Sequence, residues 1–151
     1  MPAPGATAPP PTEPAPAVAT LDGAWALSEQ VVEEAKGIEC TASGVLRLAD
    51  KDGLLDGSLQ LRQDCTDRVR GTSETTDAAT PLSAGTGTAE SVSFMTRHLE
   101  DGLATTCRYS GRLLGTARRA MAGDVNCEAR ATGVATALTL RGTWRATRSA
   151  P

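Results

Sequence analysis

The segment from Cys40 to Cys65 constrains the fold of this chain more than any other feature of the sequence. It contains Asp52-Gly53, a dipeptide typical of the two-residue hairpin turn in which both residues have a positive φ. If these two residues form the loop, counting outward along both strands places Cys40 directly opposite Cys65. The segment therefore predicts a β-hairpin whose strands are joined by a disulfide near their open end.

The apolar residues of this hairpin alternate with polar ones and share a face with the cysteines. Counting from the turn places Leu46 opposite Leu59 and Gly44 opposite Leu61. A slip of one residue would turn all of these leucines toward solvent. The turn, the alternation and the cysteines therefore predict the same register independently of one another.

A second pair of cysteines, Cys107 and Cys127, indicates a related hairpin later in the chain. Ser and Gly follow Cys107 at the same two positions at which they follow Cys40, and an odd-length loop centred on Ala117 places the second pair opposite each other. The four cysteines lack C-x-x-C spacing and the chain has one histidine, so two disulfides are favoured over a zinc site. Each would close a loop of about 20 to 25 residues and contribute roughly 3 kcal/mol in an oxidising compartment.

Turn signals continue this pattern through the second half of the chain. Asp101-Gly102 predicts a turn between a strand at 87–97 and a strand at 103–113. That turn places Phe94 opposite Tyr109 on the inward face. The strand at 103–113 is therefore shared by two successive hairpins.

Thr132-Gly133 predicts the turn into the last strand. The resulting register pairs Cys127 with Leu138 and Met121 with Trp144, and it keeps the apolar residues on one face. About eight strands result, joined in sequence by mostly short turns. This order is typical of an up-and-down meander.

A shared Gly-x-Trp motif links the two ends of the meander. It occurs as Gly23-Ala-Trp25 near the start and as Gly142-Thr-Trp144 near the end. If the first and last strands pair antiparallel, the sheet closes and exposes no edge. Inward glycines would let the strands bend and leave room for the indoles. We therefore predict an all-β fold, a single up-and-down antiparallel β-barrel of about eight strands with two disulfides.

Three segments carry weaker patterns. The charged stretch Ser28–Lys36 predicts a short helix ended by Gly37. The segment 69–73 predicts the start of a fourth strand, and 79–84, around Pro81, predicts a loop. The whole region from Thr66 to Ala84 is the least specified part of the domain, and we expect an edge, a mobile loop or a partner-facing surface there.

Residues 1–20 differ from the rest of the chain. They hold seven of the nine prolines and show no apolar periodicity, which predicts a disordered or extended tail before a barrel domain at 21–149. A linker or surface tether is one interpretation of this tail, and a Pro-rich ligand for a partner domain is the other. No signal peptide or membrane span is visible, whereas the predicted disulfides indicate a periplasmic, cell-surface or secreted protein.

The opening Gly-x-Trp motif in a β-meander resembles the calycin barrels, such as lipocalins and avidins. The stretch Leu21–Glu29, followed by Cys40, also resembles the opening of bacterial β-barrel inhibitors of secreted metalloproteases. The first resemblance implies a barrel over the globular part, and the second, over about 21–65, implies a secreted inhibitor. The chain departs from the inhibitors in its four cysteines and from lipocalins in its 3% aromatic content, so no binding residue is carried over.

Six side chains face inward in the predicted register and form the candidate lumen of the barrel. They are Trp25, Phe94, His98, Tyr109, Met121 and Trp144. An eight-stranded barrel is narrow enough to be filled by side chains or to hold one small ligand, and both alternatives stay open. His98 falls near a turn, at a barrel mouth, and we interpret it as a rim residue because no motif supplies a nucleophile beside it.

Five arginines face outward on the last three predicted strands. They are Arg108, Arg112, Arg130, Arg141 and Arg145. They predict either an anion or partner patch or a solvated wall of salt bridges, because Asp124 and Glu128 lie among them. We predict no metal and no cofactor.

The net charge of -3 argues against general nucleic-acid binding. We expect an exported, non-enzymatic, monomeric barrel that binds a small apolar or amphipathic ligand in its lumen. The alternative is a protein–protein interaction module, such as a secreted-protease inhibitor or an envelope-associated domain. A hydrolase is a third hypothesis, for which no motif marks a nucleophile.

Overall fold

The computed structural model describes residues 20–115, 117–134 and 136–148. These residues form eight β-strands and no helix. The strands are β1 (Gly23–Glu33), β2 (Ile38–Lys51), β3 (Leu54–Asp67), β4 (Thr72–Gly87), β5 (Ser91–Glu100), β6 (Leu103–Leu114), β7 (Ala120–Ala131) and β8 (Leu138–Thr147). The predicted tail at 1–20 lies outside the described residues except for Thr20.

The eight strands form one closed barrel in which each strand is antiparallel to both neighbours. Neighbours in sequence are neighbours in the sheet, and β8 closes it by pairing with β1, with Trp144 opposite Glu29. The predicted all-β, up-and-down barrel of about eight strands is confirmed. Within the described residues, no helix has the length and apolar character needed to cross a bilayer.

Both cysteine-bearing hairpins have the predicted register. Cys40 pairs with Cys65 and Cys107 pairs with Cys127, and each pair forms a disulfide. In the Asp52-Gly53 turn both residues have a positive φ, 54° and 89°, as the predicted turn type requires. The turn chemistry and the covalent bond therefore specify the same strand alignment at the two ends of the hairpin.

The predicted register of β7 and β8 is wrong by two residues. Cys127 pairs with Leu140 instead of Leu138, and the other pairs are shifted in the same way. β7 ends at Ala131 and β8 begins at Leu138, so the connection is longer than the two-residue Thr132-Gly133 turn. A shift of two residues leaves the inward face unchanged, because side chains alternate with a period of two.

The predicted helix at Ser28–Lys36 is wrong, because β1 continues through this segment to Glu33. Glu29 and Val31 face the lumen, and the residues on either side of Glu29 face solvent. A turn then leads into β2. The charged composition favours a solvated helix, but the alternation of inward and outward side chains follows the strand period.

β4 differs from its prediction at both ends. The predicted start at Val69 and the predicted loop at 79–84 are wrong, because β4 begins at Thr72 and continues through Pro81. Pro81 pairs with β3 and has no partner on β5, which is the kind of edge position where proline is tolerated. The predicted start of the strand at 87–97 is also wrong, because β5 begins at Ser91, after a short turn.

Apolar side chains from all eight strands fill the centre of the barrel. Trp25, Leu46 and Met121 have no exposed surface, and Trp144 is 2% exposed. A Cβ atom added at Gly111 would lie 2.7 Å from the Trp144 ring, which confirms that an inward glycine makes room for this indole. The core therefore occupies the lumen itself.

Candidate functional site

The two ends of the barrel differ in how they are covered. We call the end with Thr20 and Arg148 the closed end, and the end with the β1–β2, β3–β4, β5–β6 and β7–β8 turns the open end. At the closed end, Leu21 is 1% exposed and its carbonyl oxygen accepts a hydrogen bond of 3.0 Å from the Trp25 indole nitrogen. The Arg148 guanidinium lies 4.6 Å from the centre of the Trp25 ring. These contacts seal the closed end.

Between the ends, three aromatic side chains pack against one another. The Phe94 and Tyr109 rings stack with their centres 4.7 Å apart, and Trp144 meets them edge-on at 5.8 and 5.9 Å. Phe94 and Tyr109 are paired across β5 and β6, as predicted. The Trp144 indole nitrogen donates to backbone carbonyl oxygens of Ser110 and Asp124. This cluster fills the middle of the lumen.

A carboxyl group lies beside this cluster. Glu29 points inward from β1, is 8% exposed and accepts a hydrogen bond of 2.9 Å from the Tyr109 hydroxyl. Burial raises the pKa of Glu29, and the Tyr109 bond opposes this rise. Burial, together with the charge of Glu29, raises the pKa of Tyr109 well above its ordinary range. Among the described residues, no cationic side chain lies within 4.0 Å of Glu29.

The wall of the open end is less well covered than the centre. Inward-facing side chains near its turns are half-buried; they include Ile38, Cys65, His98, Thr105, Cys107 and Leu138. One sulfur atom of each disulfide belongs to this half-buried wall, on opposite hairpins. The open end is therefore a partly apolar rim, and Glu29 is the acidic group on the inward face below it.

The barrel wall has a slot at the open end. β4 pairs with β5 only between Leu82–Gly87 and Val92–Thr96. Over the rest of both strands, which are described throughout, Thr72–Pro81 has no partner on β5 and Arg97–Glu100 has none on β4. One edge of β4 is therefore unpaired over Thr72–Pro81.

The structure separates the six lumen residues predicted from the sequence into three groups. Phe94, Tyr109 and Trp144 form the central cluster, and Met121 is fully buried in the same core. Trp25 lies under the closed end. His98 lies at the open rim, where its Nε2 is 3.0 Å from a carboxylate oxygen of Glu100.

Glu29 is the site residue that the sequence prediction missed, because it fell within the predicted helix. The signal that could have found it is the alternation Trp25, Leu27, Glu29, Val31, which has the period of a strand.

Two surface grooves of about 460 and 450 Å³ lie outside the lumen, lined for example by Arg141 and by Arg130, and neither is lined by Glu29.

All five predicted patch arginines are exposed: Arg108, Arg112, Arg130, Arg141 and Arg145. Within the described residues, Arg130 is the member of this set that pairs with a carboxylate, at 2.8 Å from Glu128. The described residues also place no group of three or more His, Cys, Asp or Glu side chains where it could hold a metal ion.

Comparisons with known proteins assign no family to this chain. No family model matches its sequence, and no curated protein matches it. Among solved structures, it is similar to an S-type phycobiliprotein lyase from Guillardia theta, with 9% identity, a TM-score of 0.37, and coverage of 87% of this chain and 89% of that chain. The chain is thus a closed eight-stranded antiparallel β-barrel with two disulfides.

Proposed function

We propose that this protein is an exported, non-enzymatic binding protein that takes a small amphipathic ligand at the open end of its barrel. The observation that supports the proposal is the buried Glu29 carboxyl group, whose donor is the Tyr109 hydroxyl. The polar head of the ligand bonds to Glu29, and its apolar part packs against the half-buried rim.

The energetic argument concerns the cost of burying Glu29. Removing an ionised carboxylate from water costs several kcal/mol unless partners compensate for the lost hydration. One hydroxyl donor compensates only in part, whereas the inward positions on either side, Leu27 and Val31, are apolar. A ligand with an ammonium or amide N–H group supplies further donors, because a carboxylate accepts several hydrogen bonds.

The ligand position follows from the packing of the lumen. The aromatic cluster around Trp144 fills the centre, and Trp25 lies under the sealed closed end. The inward side chains at the open end, such as Cys65, His98 and Cys107, are half-buried, in contrast to this filled centre. The proposal therefore assigns the ligand to the open end and not to the whole lumen.

Two further observations support the export and the non-enzymatic parts of the proposal. Disulfides such as Cys40–Cys65 persist in oxidising compartments. The histidine and the tyrosine near the site both have carboxylate partners: His98 Nε2 lies 3.0 Å from Glu100, and the Tyr109 hydroxyl donates to Glu29 at 2.9 Å. We assign them binding and structural roles.

The experiment compares dodecylamine with dodecanoate, two ligands of equal chain length and opposite head-group charge. Isothermal titration should show that the amine binds at least about tenfold more tightly, a difference of about 1.4 kcal/mol. Glu29→Gln should abolish this preference, and the matched outer-wall variant Glu39→Gln should retain it. Equal affinities for the two ligands in the wild type, or an unchanged preference in Glu29→Gln, would contradict the proposal.

The unpaired edge of β4 favours one alternative, a protein–protein module such as a secreted-protease inhibitor. An extended segment of a partner can add a strand to such an edge. If so, residual activity of secreted metalloproteases should fall on addition of the protein, and amide hydrogen exchange within Thr72–Pro81 should slow in the complex. Full protease activity with unchanged exchange rejects this alternative.

A further inference from the structure

Three arginines come together at the closed end, opposite the proposed ligand site. Arg118 and Arg119 lie in the connection between β6 and β7, and Arg148 follows β8. The Arg148 backbone N–H donates to the Arg119 carbonyl oxygen at 2.9 Å, which joins the two segments. We call Arg118, Arg119 and Arg148 the arginine cluster.

Two members of the arginine cluster are held in place by neutral groups. The Arg148 guanidinium stacks on the Trp25 ring, and its Nη1 donates to the Asp22 carbonyl oxygen at 2.8 Å. Arg118 donates from Nη2 to the Thr88 carbonyl oxygen at 3.3 Å. Its backbone has a φ of 53°, which is uncommon for a residue with a long side chain. The guanidinium groups are therefore positioned without being neutralised.

The positive charge of the cluster is not matched by a nearby carboxylate in the part of the chain that the structure describes. Among the described residues, no carboxylate oxygen lies within 4.0 Å of any of the three guanidinium groups. Burial, followed by the charge of Arg118, lowers the pKa of Arg148, and Asp22 opposes this effect. The Asp22 carboxylate is itself engaged, since it accepts hydrogen bonds from the Asp50 N–H and the Thr20 hydroxyl.

An unpaired donor lies within the cluster. The Arg118 Nε atom is buried and has no hydrogen-bond partner among the residues that the structure describes. A buried donor without a partner costs about 1–3 kcal/mol, and mutual repulsion of the guanidinium groups adds to this cost. Such an arrangement is compensated when an anion binds. The wall arginines on β6 to β8 differ, because all of them are exposed to solvent.

We propose that the arginine cluster is a binding site for a phosphate-type oxyanion. Guanidinium groups are weakly hydrated and bind phosphate oxygens in pairs of parallel hydrogen bonds, which suits a tetrahedral anion between several arginines. Free phosphate and the headgroup of an anionic phospholipid share this chemistry. The proposal is independent of the ligand at the open end.

Isothermal titration of the full chain with inorganic phosphate and with pyrophosphate tests the free-anion form. Sedimentation with vesicles of phosphatidylglycerol, compared with vesicles of phosphatidylcholine alone, tests the headgroup form. We expect binding in at least one form, with affinity reduced about tenfold or more in Arg118→Gln and Arg119→Gln. The exposed Arg119 tests the site without disturbing the contacts that hold Trp25. Circular dichroism of each variant verifies that it is folded.

The matched control is Arg145→Gln, which removes one positive charge from the outer wall. It should change the affinity less than about twofold, because its charge lies outside the cluster. Binding to vesicles without binding to free phosphate identifies the headgroup as the source, and binding to both identifies the shared anion. If Arg145→Gln lost as much affinity as the cluster variants, the binding would be general charge attraction and the proposal would be wrong. The proposal would also be overturned if the folded wild type bound none of the probes.

Discussion

At the closed end of the barrel, the Trp25 indole lies under Leu21 and Arg148. Toward the open end, the Glu29 carboxyl group lies below the half-buried Cys65 and Cys107. The closed end is stabilised by packing around Trp25. The open end has a slot between β4 and β5, and both disulfides, Cys40–Cys65 and Cys107–Cys127, lie on its side of the barrel. The disulfides therefore lie at the end where β4 and β5 are unpaired, whereas side-chain packing stabilises the closed end.

The largest effect is expected at the closed end. Trp25→Ala should lower the free energy of unfolding by about 3–5 kcal/mol, because it removes a fully buried indole and leaves a cavity. The matched open-end variant His98→Ala should change it by less than about 0.5 kcal/mol, since that side chain is 35% exposed. Urea unfolding curves measure both values. Similar losses at the two ends would contradict the comparison.

Removing a disulfide should have the next largest effect. Replacing either cysteine pair with alanine should cost about 3 kcal/mol, and the two losses should differ by only about 0.2 kcal/mol, because the sequence separations are 25 and 20 residues. Hydrogen exchange should accelerate more at the open end than around Trp25. Uniform acceleration over the whole barrel would show that the disulfides do not act on one end.

Loss of the hydroxyl group beside Glu29 should have an intermediate effect. Tyr109→Phe should cost about 1–3 kcal/mol, because it leaves the buried carboxyl group without its donor. The double variant with Glu29→Leu should recover most of this loss, since it removes both polar partners. The urea midpoints of the single and double variants measure the energetic coupling between Tyr109 and Glu29. A double variant no more stable than Tyr109→Phe would show that the bond is not the source of the loss.

Two acidic residues, Glu29 in the lumen and Asp22 at the closed end, should give opposite pH dependences. The raised pKa of Glu29 means that its contribution to stability is full below its ordinary value of 4.5 and is lost as the pH rises through the raised pKa. The Asp50 N–H bond lowers the pKa of Asp22, so its contribution is full above 3.8 and is lost as the pH falls. We expect Glu29→Gln to abolish the fall in the unfolding midpoint as the pH rises. We expect Asp22→Asn to abolish the fall in the midpoint as the pH decreases. Parallel pH profiles for the two variants would contradict these assignments.

The smallest effect is expected where Arg148 covers Trp25. Arg148→Ala should lower the free energy of unfolding by about 0.5–1 kcal/mol, because it removes a partly exposed cation–π contact and one hydrogen bond to a carbonyl. Arg145→Ala, on the exposed wall, should have no measurable effect. Thermal melts at equal ionic strength compare the two. A larger loss in Arg145→Ala would mean that Arg148 does not cover the closed end.

Registers determined by short turns and cysteines were predictable from the sequence. Asp52-Gly53 requires a turn with two positive φ values, and the cysteines lie at matching distances from it. The register of β7 and β8 was not predictable in the same way. Gly133 does have a positive φ, but the longer connection up to Leu138 aligns the strands two residues further along. A turn signal specifies a bend, and only the packing of the strands specifies the length of the connection.

The candidate site was predictable only in part. The alternation and the hairpin register predict that Tyr109 faces inward, but the charged residues around Glu29 favour a solvated helix. β1 adopts the strand conformation because β2 and β8 pair with it on both sides. Burial of Glu29 therefore depends on strands that are distant in sequence.

By itself, the sequence determined the all-β class, the two disulfide-linked hairpins and the inward face, because turn chemistry, alternation and cysteine spacing act over a few residues. Only the tertiary structure decided the slot between β4 and β5, the burial of Glu29 beside Tyr109 and the assembly of the arginine cluster. Each of these features requires closure of the sheet, which brings together residues far apart in the chain and sets which of their polar groups lose contact with water.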